Sequence, residues 1–260
     1  MLKFYADESV DAQSSLLNVS GFLMREDQCL VLDKAVREAR GTLPYFHMKD
    51  GHAVSYPDVY QKLLGLISKE TVICGISASI FEKTHEALGS KKVSGQTLTY
   101  WTSKPYTYCL AHAMQVCGEA IDKYFPNLRD EYIAYVFEGG HPSQGDANRM
   151  FGDLDKQEFA QLKQFYRYAS HAFVDGKGPL GSVLQLADIF AWQVNKADRE
   201  GRPLEDVGRI FNVPIITKHH TAQEIYGTFV NQMRAWARRN QEKEERRLRQ
   251  RINRAKQFRP

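Results

Sequence analysis

The stretch Val183–Asn195, which reads VLQLADIFAWQVN, constrains the fold more than any other part of the chain. Placed on a helix at ~100° per residue, its apolar side chains cover nearly the whole circumference, and this predicts a buried helix. One carboxylate, Asp188, stands among them. Because burying an unpaired charge costs several kcal/mol, Asp188 requires a cation, a buried Arg or Tyr as a partner, or a place on an exposed seam.

Two apolar segments elsewhere in the chain end in acids. LKFYADES predicts a strand over Leu2–Asp7 that ends in Asp7 and Glu8, and EYIAYVFEGG predicts a strand that ends in Glu138. Ligands of open α/β sheets lie beyond the carboxyl ends of the strands. If the two strands are parallel neighbours, ~4.8 Å apart, Asp7 and Glu138 face each other. Like charges that close raise a pKa or recruit a divalent metal.

These motifs, DES on a first strand, an acid after a central strand and LQLAD opening a late buried helix, resemble the bacterial and phage family called domain of unknown function 3800. The resemblance covers approximately residues 1–200. That family is regarded as ribonuclease H-like. The resemblance therefore implies an α/β fold, a mixed sheet flanked by helices, in which Asp7, Glu138 and Asp188 are the catalytic and metal-binding carboxylates.

A fourth site residue is left open by the sequence. Adjacent strand residues point to opposite faces, so Asp7 and Glu8 do not share the site face, and the resemblance favours Asp7. Besides Glu8, the candidates are Asp146, which fits helix N-capping equally well, and Asp175, which lies in an Asp-Gly turn. His47, in FHMKDGH, is either a general acid or base beside the site or part of a polar surface loop.

Other periodicities predict the remaining elements. Glu26–Gly41 has helical spacing, with Leu30, Val31, Ala35 and Val36 as its buried side and Gly41 as its end. The patterns also predict an antiparallel pair Leu2–Asp7 and Leu16–Met24, helices Tyr56–Ser68 and Thr107–Tyr124, a strand Thr71–Phe81, a last strand Phe165–Val174, and a flexible surface insertion Leu88–Thr102.

Charge divides the chain unevenly. Residues 234–260 contain eleven Lys and Arg and three Glu, which leaves 24 basic and 28 acidic residues in 1–233. We expect a ribonuclease H-like domain over 1–200, an extension over 201–240 that packs on it through a long helix, and a basic tail over 241–260. The tail is either simply solvated or contacts nucleic acid through five arginines: Arg246, Arg247, Arg249, Arg251 and Arg254.

Composition points to a cytoplasmic protein that does not enter the membrane, because the apolar runs are too short to span one. The four cysteines, Cys29, Cys74, Cys109 and Cys117, show no CxxC pair, so we expect reduced and mostly buried thiols. The long C-terminal helix is also a candidate contact for a homo-oligomer or another protein partner.

Two classes of function follow. The first is a nuclease that hydrolyses RNA or DNA phosphodiesters with Mg²⁺ or Mn²⁺ held by the carboxylates, since hard oxygen ligands favour these ions over zinc. The second is a ribonuclease H-like binding or scaffold protein with weak or no catalysis, whose basic tail recruits nucleic acid. The sequence does not distinguish RNA from DNA.

Overall fold

Six strands of the computed structural model form one mixed sheet. The structure describes residues 1–11, 15–89, 104–178 and 181–225, with the single positions 13, 227, 242 and 245. The strands in this part of the chain are β1 (Leu2–Asp11), β2 (Leu16–Arg25), β3 (Cys74–Phe81), β4 (Ile133–Glu138), β5 (Tyr168–Val174) and β6 (Ile215–His220). Their order across the sheet is β5-β4-β1-β2-β3-β6. β1, β2 and β3 pair antiparallel, whereas β1–β4, β4–β5 and β3–β6 are parallel.

Helices cover both faces of the sheet. They are α1 (Glu26–Arg40), α2 (His52–Ser55), α3 (Pro57–Gly65), α4 (Glu82–Gly89), α5 (Pro105–Tyr124), α6 (Gln144–Leu154), α7 (Ala160–Phe165), α8 (Leu184–Arg199) and α9 (Leu204–Phe211). One apolar core joins the sheet to α5 and α6, and a second joins it to α1, α3, α8 and α9. No helix of the described residues is long and apolar enough to cross a membrane.

The two central helices have the character expected from their sequences. α5 begins at a proline, which suits the first turn of a helix, and its buried residues include Leu110, Met114, Cys117 and Ile121. α8 is buried along most of its length, as its nearly continuous apolar surface predicts. All four cysteines are free and buried.

β1 separates the two cores by simple alternation. Leu2, Phe4 and Ala6 are completely buried in the core that contains α5. Tyr5 packs in the other core, beneath α8, and Asp7 follows it on the same face. The period of two therefore places one acid of the first strand against α8.

The predicted end of the first strand was wrong. β1 does not end at Asp7 but continues to Asp11, since β2 pairs with it along its whole length, and Asp7 lies opposite Ser20. On its other side β1 pairs with β4, and this pairing ends where Ala6 lies opposite Phe137. Asp7 is thus a mid-strand residue at the point where one neighbouring strand stops.

The buried side of α1 was predicted wrongly in part, although Val36 is buried as expected. Leu30 and Val31 are 76% and 58% exposed, whereas Cys29, Leu32 and Val36 are buried. These three occupy positions i, i+3 and i+7, which is an equally good helical stripe, and the apolar run Cys29–Leu32 alone does not distinguish the two. The helix ends before Gly41, whose positive φ of 60° suits glycine.

β5 is not the last strand, contrary to the sequence prediction. Within the predicted extension 201–240, α9 packs beside α8 and β6 adds a parallel strand to the edge of the sheet next to β3. β6 reads IITKHH, and its mixed polar composition is typical of an edge strand. The insertion beyond Gly89 and the tail arginines Arg246, Arg247, Arg249, Arg251 and Arg254 lie outside the described residues.

Candidate functional site

A cavity of about 460 Å³ lies at the edge of the sheet where β4 ends beside the longer β1. Acidic side chains from three elements contribute to its wall: Asp7, Glu8 and Asp11 from β1, Glu138 from β4 and Asp188 from α8. The structure therefore brings the three carboxylates singled out in the sequence, Asp7, Glu138 and Asp188, to one cavity.

Asp7 and Glu138 are neighbours because of the parallel register of their strands. Ala6 lies opposite Phe137, so the next residues along the two strands are Asp7 and Glu138. Both follow the alternation that points toward α8. Asp7 is only 5% exposed, and its Oδ1 accepts a hydrogen bond of 2.8 Å from the backbone N–H of Glu8.

The pKa of Asp7 is raised well above the usual value for an aspartate. Burial is the largest cause, followed by the negative charges of Glu138, Glu8 and Asp188. A hydrogen bond between the carboxyl groups of Asp7 and Glu138 favours the protonated form further. Asp7 therefore keeps its proton to a higher pH than an exposed aspartate does.

Glu138 has room for its carboxylate because a glycine faces it. A Cβ atom built on Gly176 would lie 2.5 Å from Glu138 Oε1, closer than any real contact. Gly176 belongs to the segment between β5 and α8. Its main-chain oxygen accepts a 3.1 Å hydrogen bond from the Gln185 side chain, so α8 holds this segment beside the acid.

Asp188 is held by main chain, and no Arg or Tyr of the described residues pairs with it. The backbone N–H of Met48 donates to its Oδ2 at 2.7 Å. Burial raises the pKa of Asp188 to about 6 against the opposing effects of His47 and of this hydrogen bond, while Glu138 and Asp50 add to the rise. The buried Gln185, one turn earlier on α8, accepts the N–H of Phe46 and so fixes the same loop.

The candidates for a fourth carboxylate have different surroundings. Glu8 lines the cavity, and burial raises its pKa to about 7. Asp146 forms an ion pair with Arg149 in the first turn of α6, three residues after Ser143 at the N-cap, so the capping alternative was wrong. Asp175 accepts the backbone N–H of Lys177, as in an Asx turn.

His47 lies in the cavity wall, beside Asp188. Its Nδ1 is 3.6 Å from Asp50 Oδ2, and its backbone N–H donates to His52 Nδ1 at 3.2 Å. The side chain is 20% exposed, so the loop that contains it is part of the site and not a separate surface feature.

The other wall of the cavity was not predicted from the sequence. Trp192, Asn195, Lys196 and Arg199 line it from α8. They follow Asp188 by four, seven, eight and eleven residues, which is the spacing of one helical face. That spacing was visible in the sequence, but Trp192 had been assigned to the buried surface of the helix.

The donor set suits a hard divalent cation, because it consists of carboxylate oxygens. Their arrangement is less complete: among the residues that the structure describes, no three His, Cys, Asp or Glu side chains are grouped so that they could hold a metal ion. Binding a metal would therefore require Asp7 to lose its proton and the carboxylates to draw closer together.

Comparison with known proteins leaves the site to be interpreted on its own geometry. No protein-family model matches the chain, and no curated protein matches it significantly.

Proposed function

We propose that this protein is a ribonuclease H-like nuclease that hydrolyses phosphodiester bonds with Mg²⁺ or Mn²⁺. The observation that carries the proposal is that Asp7 and Glu138 lie side by side in the wall of one cavity, where burial and like charge raise the pKa of Asp7. Strongly perturbed acids in a cleft are typical of functional sites.

The placement of the acids supports the ribonuclease H-like assignment. The resemblance implies carboxylates on the first strand, on a central strand and on a core helix. Asp7 lies on β1, Glu138 at the end of the interior strand β4, and Asp188 on the buried helix α8. None of the three forms an ion pair with a Lys or Arg of the described residues, so their charge is available for a bound cation.

The chain's own residues would hold the cation and orient its ligands. Asp7, Glu138 and Asp188 would bind it, the Met48 N–H fixes the direction of the Asp188 carboxylate, and Gly176 leaves space for that of Glu138. A bound Mg²⁺ or Mn²⁺ supplies an activated water and stabilises charge on the phosphate.

Cleavage assays with matched variants test the proposal. The full-length protein is incubated with single- and double-stranded RNA and DNA in Mg²⁺, Mn²⁺ or EDTA. We expect metal-dependent cleavage that Asp7→Asn and Asp188→Asn each reduce by more than about 100-fold. Mutating a residue that only hydrogen-bonds to a metal ligand already reduces activity by about 10- to 100-fold. Asp130→Asn, an exposed acid outside the cavity, should cleave normally.

The alternative is a binding or scaffold protein with little or no catalysis. The carboxylates' incomplete grouping for a metal favours it. Nucleic-acid binding by the wild-type protein without cleavage in any of these conditions would establish this alternative and exclude the nuclease. The nucleic-acid-binding tail, a cytoplasmic location and a homo-oligomer or protein partner belong to both versions of the proposal.

A further inference from the structure

One face of α8 runs from the acidic cluster to the rim of the cavity. Asp188 lies near its beginning, Trp192 one turn later, Asn195 and Lys196 after two turns and Arg199 after three. With a rise of 1.5 Å per residue, the distance along the helix from Asp188 to Arg199 is about 16 Å. The site therefore continues as an elongated wall that changes from acidic to basic.

The cations that line the cavity, on α8 and at Lys49 in the turn before α2, are available for a ligand. Arg199 and Lys49 are exposed, and neither side chain forms an ion pair or hydrogen bond with another residue in the described ranges. Lys196 is less free, since its Nζ lies 4.0 Å from Glu200 and 5.0 Å from the centre of the Trp192 ring. A cavity lined by both cations and carboxylates suits a ligand with several phosphates. The cations would bind some of these phosphates, and a metal held by the carboxylates would bind another.

An aromatic ring lies between the acids and the cations. Trp192 is half-buried: it packs partly on the apolar core beneath α8 and partly lines the cavity. Ser9 on β1 accepts a 2.7 Å hydrogen bond from Asn195, and this contact fixes the facing walls relative to each other. A ring held in this way is a stacking platform of the kind that single-stranded nucleic acids use.

We propose that this wall of α8, together with Lys49 from the turn before α2, binds single-stranded nucleic acid, with an unpaired base on Trp192 and backbone phosphates on Arg199, Lys196 and Lys49. A paired base within a duplex does not expose its face, so stacking on Trp192 selects single strands. The inference rests on the proposed function, because it leads the strand from the cationic rim to the carboxylates Asp7 and Asp188.

Binding without catalysis tests this inference. A labelled single strand of about 12 nucleotides and the blunt duplex of the same sequence are titrated with full-length protein in EDTA, with fluorescence anisotropy as the readout. Trp192→Ala should weaken single-strand binding by about 5- to 100-fold, whereas Trp192→Phe should retain most of it and duplex binding should not change. Thermal unfolding of both variants controls for loss of structure.

Charge removal provides the second readout. Arg199→Gln should reduce the salt dependence of single-strand binding by about 0.7 of a log–log unit for the lost phosphate contact. Arg209→Gln, on α9 and 80% exposed, removes the same charge away from this cavity and should leave binding unchanged.

The outcomes separate this inference from the proposed function. Equal loss of single-strand and duplex binding in Trp192→Ala, or no loss in a folded variant, overturns the single-strand assignment. Trp192-dependent binding without cleavage in Mg²⁺ or Mn²⁺ supports the binding surface and refutes the nuclease. Cleavage together with Trp192-independent binding does the reverse.

Discussion

Two clusters of buried titratable side chains lie on opposite faces of the sheet, and they differ in how their side chains interact with one another. Beneath α8, Asp7, Glu138 and Asp188 repel one another. Against α5, the rings of His112 and His220 stack with centroids 3.4 Å apart. Hydrogen bonds hold the histidines in place: His112 Nε2–H donates to the Lys218 carbonyl at 3.1 Å, and His220 Nδ1 lies 2.8 Å from the Tyr108 hydroxyl.

Burial favours the neutral form in both clusters, yet the result at neutral pH differs. Burial, with the neighbouring histidine and lysine charges, lowers the pKa of His112 to about 2 and that of His220 to about 4, so both are neutral at pH 7. Burial raises the pKa of Asp188 to about 6 and that of Glu8 to about 7. The histidines therefore stay neutral at pH 7 and contribute to packing. The acids have pKa values close to neutral pH, where a bound cation can replace a proton.

The two clusters give stability opposite dependences on pH. Acids with raised pKa values stabilise the fold below their unfolded pKa near 4, and this contribution is lost as the pH rises through the folded values. Histidines with lowered pKa values are accommodated above their unfolded pKa of 6.5, and stability is lost as the pH falls below it. Both windows lie on the acid side of neutrality, where the two faces of the sheet change stability in opposite directions.

We expect the largest effect from a substitution that displaces β1, the strand that carries Asp7, without removing any titratable group. A Cβ on Gly21 would lie 1.9 Å from the Tyr5 carbonyl oxygen and 2.6 Å from Ala6 Cα, both main-chain atoms that cannot move independently. Gly21→Ala should lower the free energy of unfolding by about 3–5 kcal/mol, measured by urea denaturation. Gly65→Ala is the control, because nothing lies within 4 Å of its added Cβ.

The next effect comes from removing one acid of the carboxylate cluster. Asp7→Asn eliminates a charge that the fold disfavours, so at pH 8 it should raise the free energy of unfolding by about 1–3 kcal/mol, and the gain should disappear near pH 4. Denaturation at both pH values measures it. A loss of stability at pH 8, or an equal gain for Asp130→Asn, would show that Asp7 is not under electrostatic strain.

Much of the acidic cluster could be predicted from the sequence, but little of the histidine cluster could. The apolar patterns of α8, β1 and β4 predicted which acids would meet, on the condition that β1 and β4 are parallel neighbours, and the structure fulfils that condition. The histidine pair depends on β6, whose sequence carries no strong strand pattern, and it joins residues 108 positions apart.

Details within the acidic site were equally hidden, because they depend on loops. The Met48 N–H reaches Asp188 across 140 residues, and Gly176 lies under Glu138 only because Gln185 holds its loop. Single-sequence periodicity specifies which face a side chain occupies and not which distant main-chain group meets it. The wrong face of α1 has a different cause: two stripes of that helix are equally apolar, so periodicity does not distinguish them.

A smaller effect at pH 8 is expected from the histidine cluster. His112→Phe keeps a ring for stacking but loses the hydrogen bond to Lys218, which should cost about 1 kcal/mol at pH 8. Below pH 6.5 the variant should lose stability less steeply than the wild type, by about 1.4 kcal/mol per pH unit for the one titrating group removed. Parallel stability curves for the two proteins from pH 6 to 4.5 would contradict the assignment to His112.

The smallest effect on stability should come from removing the basic tail. Deleting residues 240–260 removes no residue of either cluster, so the free energy of unfolding should change by less than about 0.5 kcal/mol. Nucleic-acid binding should weaken and lose about 0.7–0.9 of a log–log unit of salt dependence per lost phosphate contact. Titrations at several salt concentrations measure it, and an unchanged slope would assign the tail arginines to solubility or a protein partner.

Direct measurement of Mn²⁺ binding tests the central claim, that the carboxylate cluster is built for a divalent cation. The free Mn²⁺ signal in electron paramagnetic resonance is followed as protein is added, between pH 6 and 8. We expect binding that tightens with rising pH, because Asp7 and Asp188 must be ionised to bind the ion, and that is lost in Asp7→Asn and Asp188→Asn but kept in Asp130→Asn. Absence of Mn²⁺ binding by the wild-type protein, or equal binding by Asp7→Asn, would contradict the account.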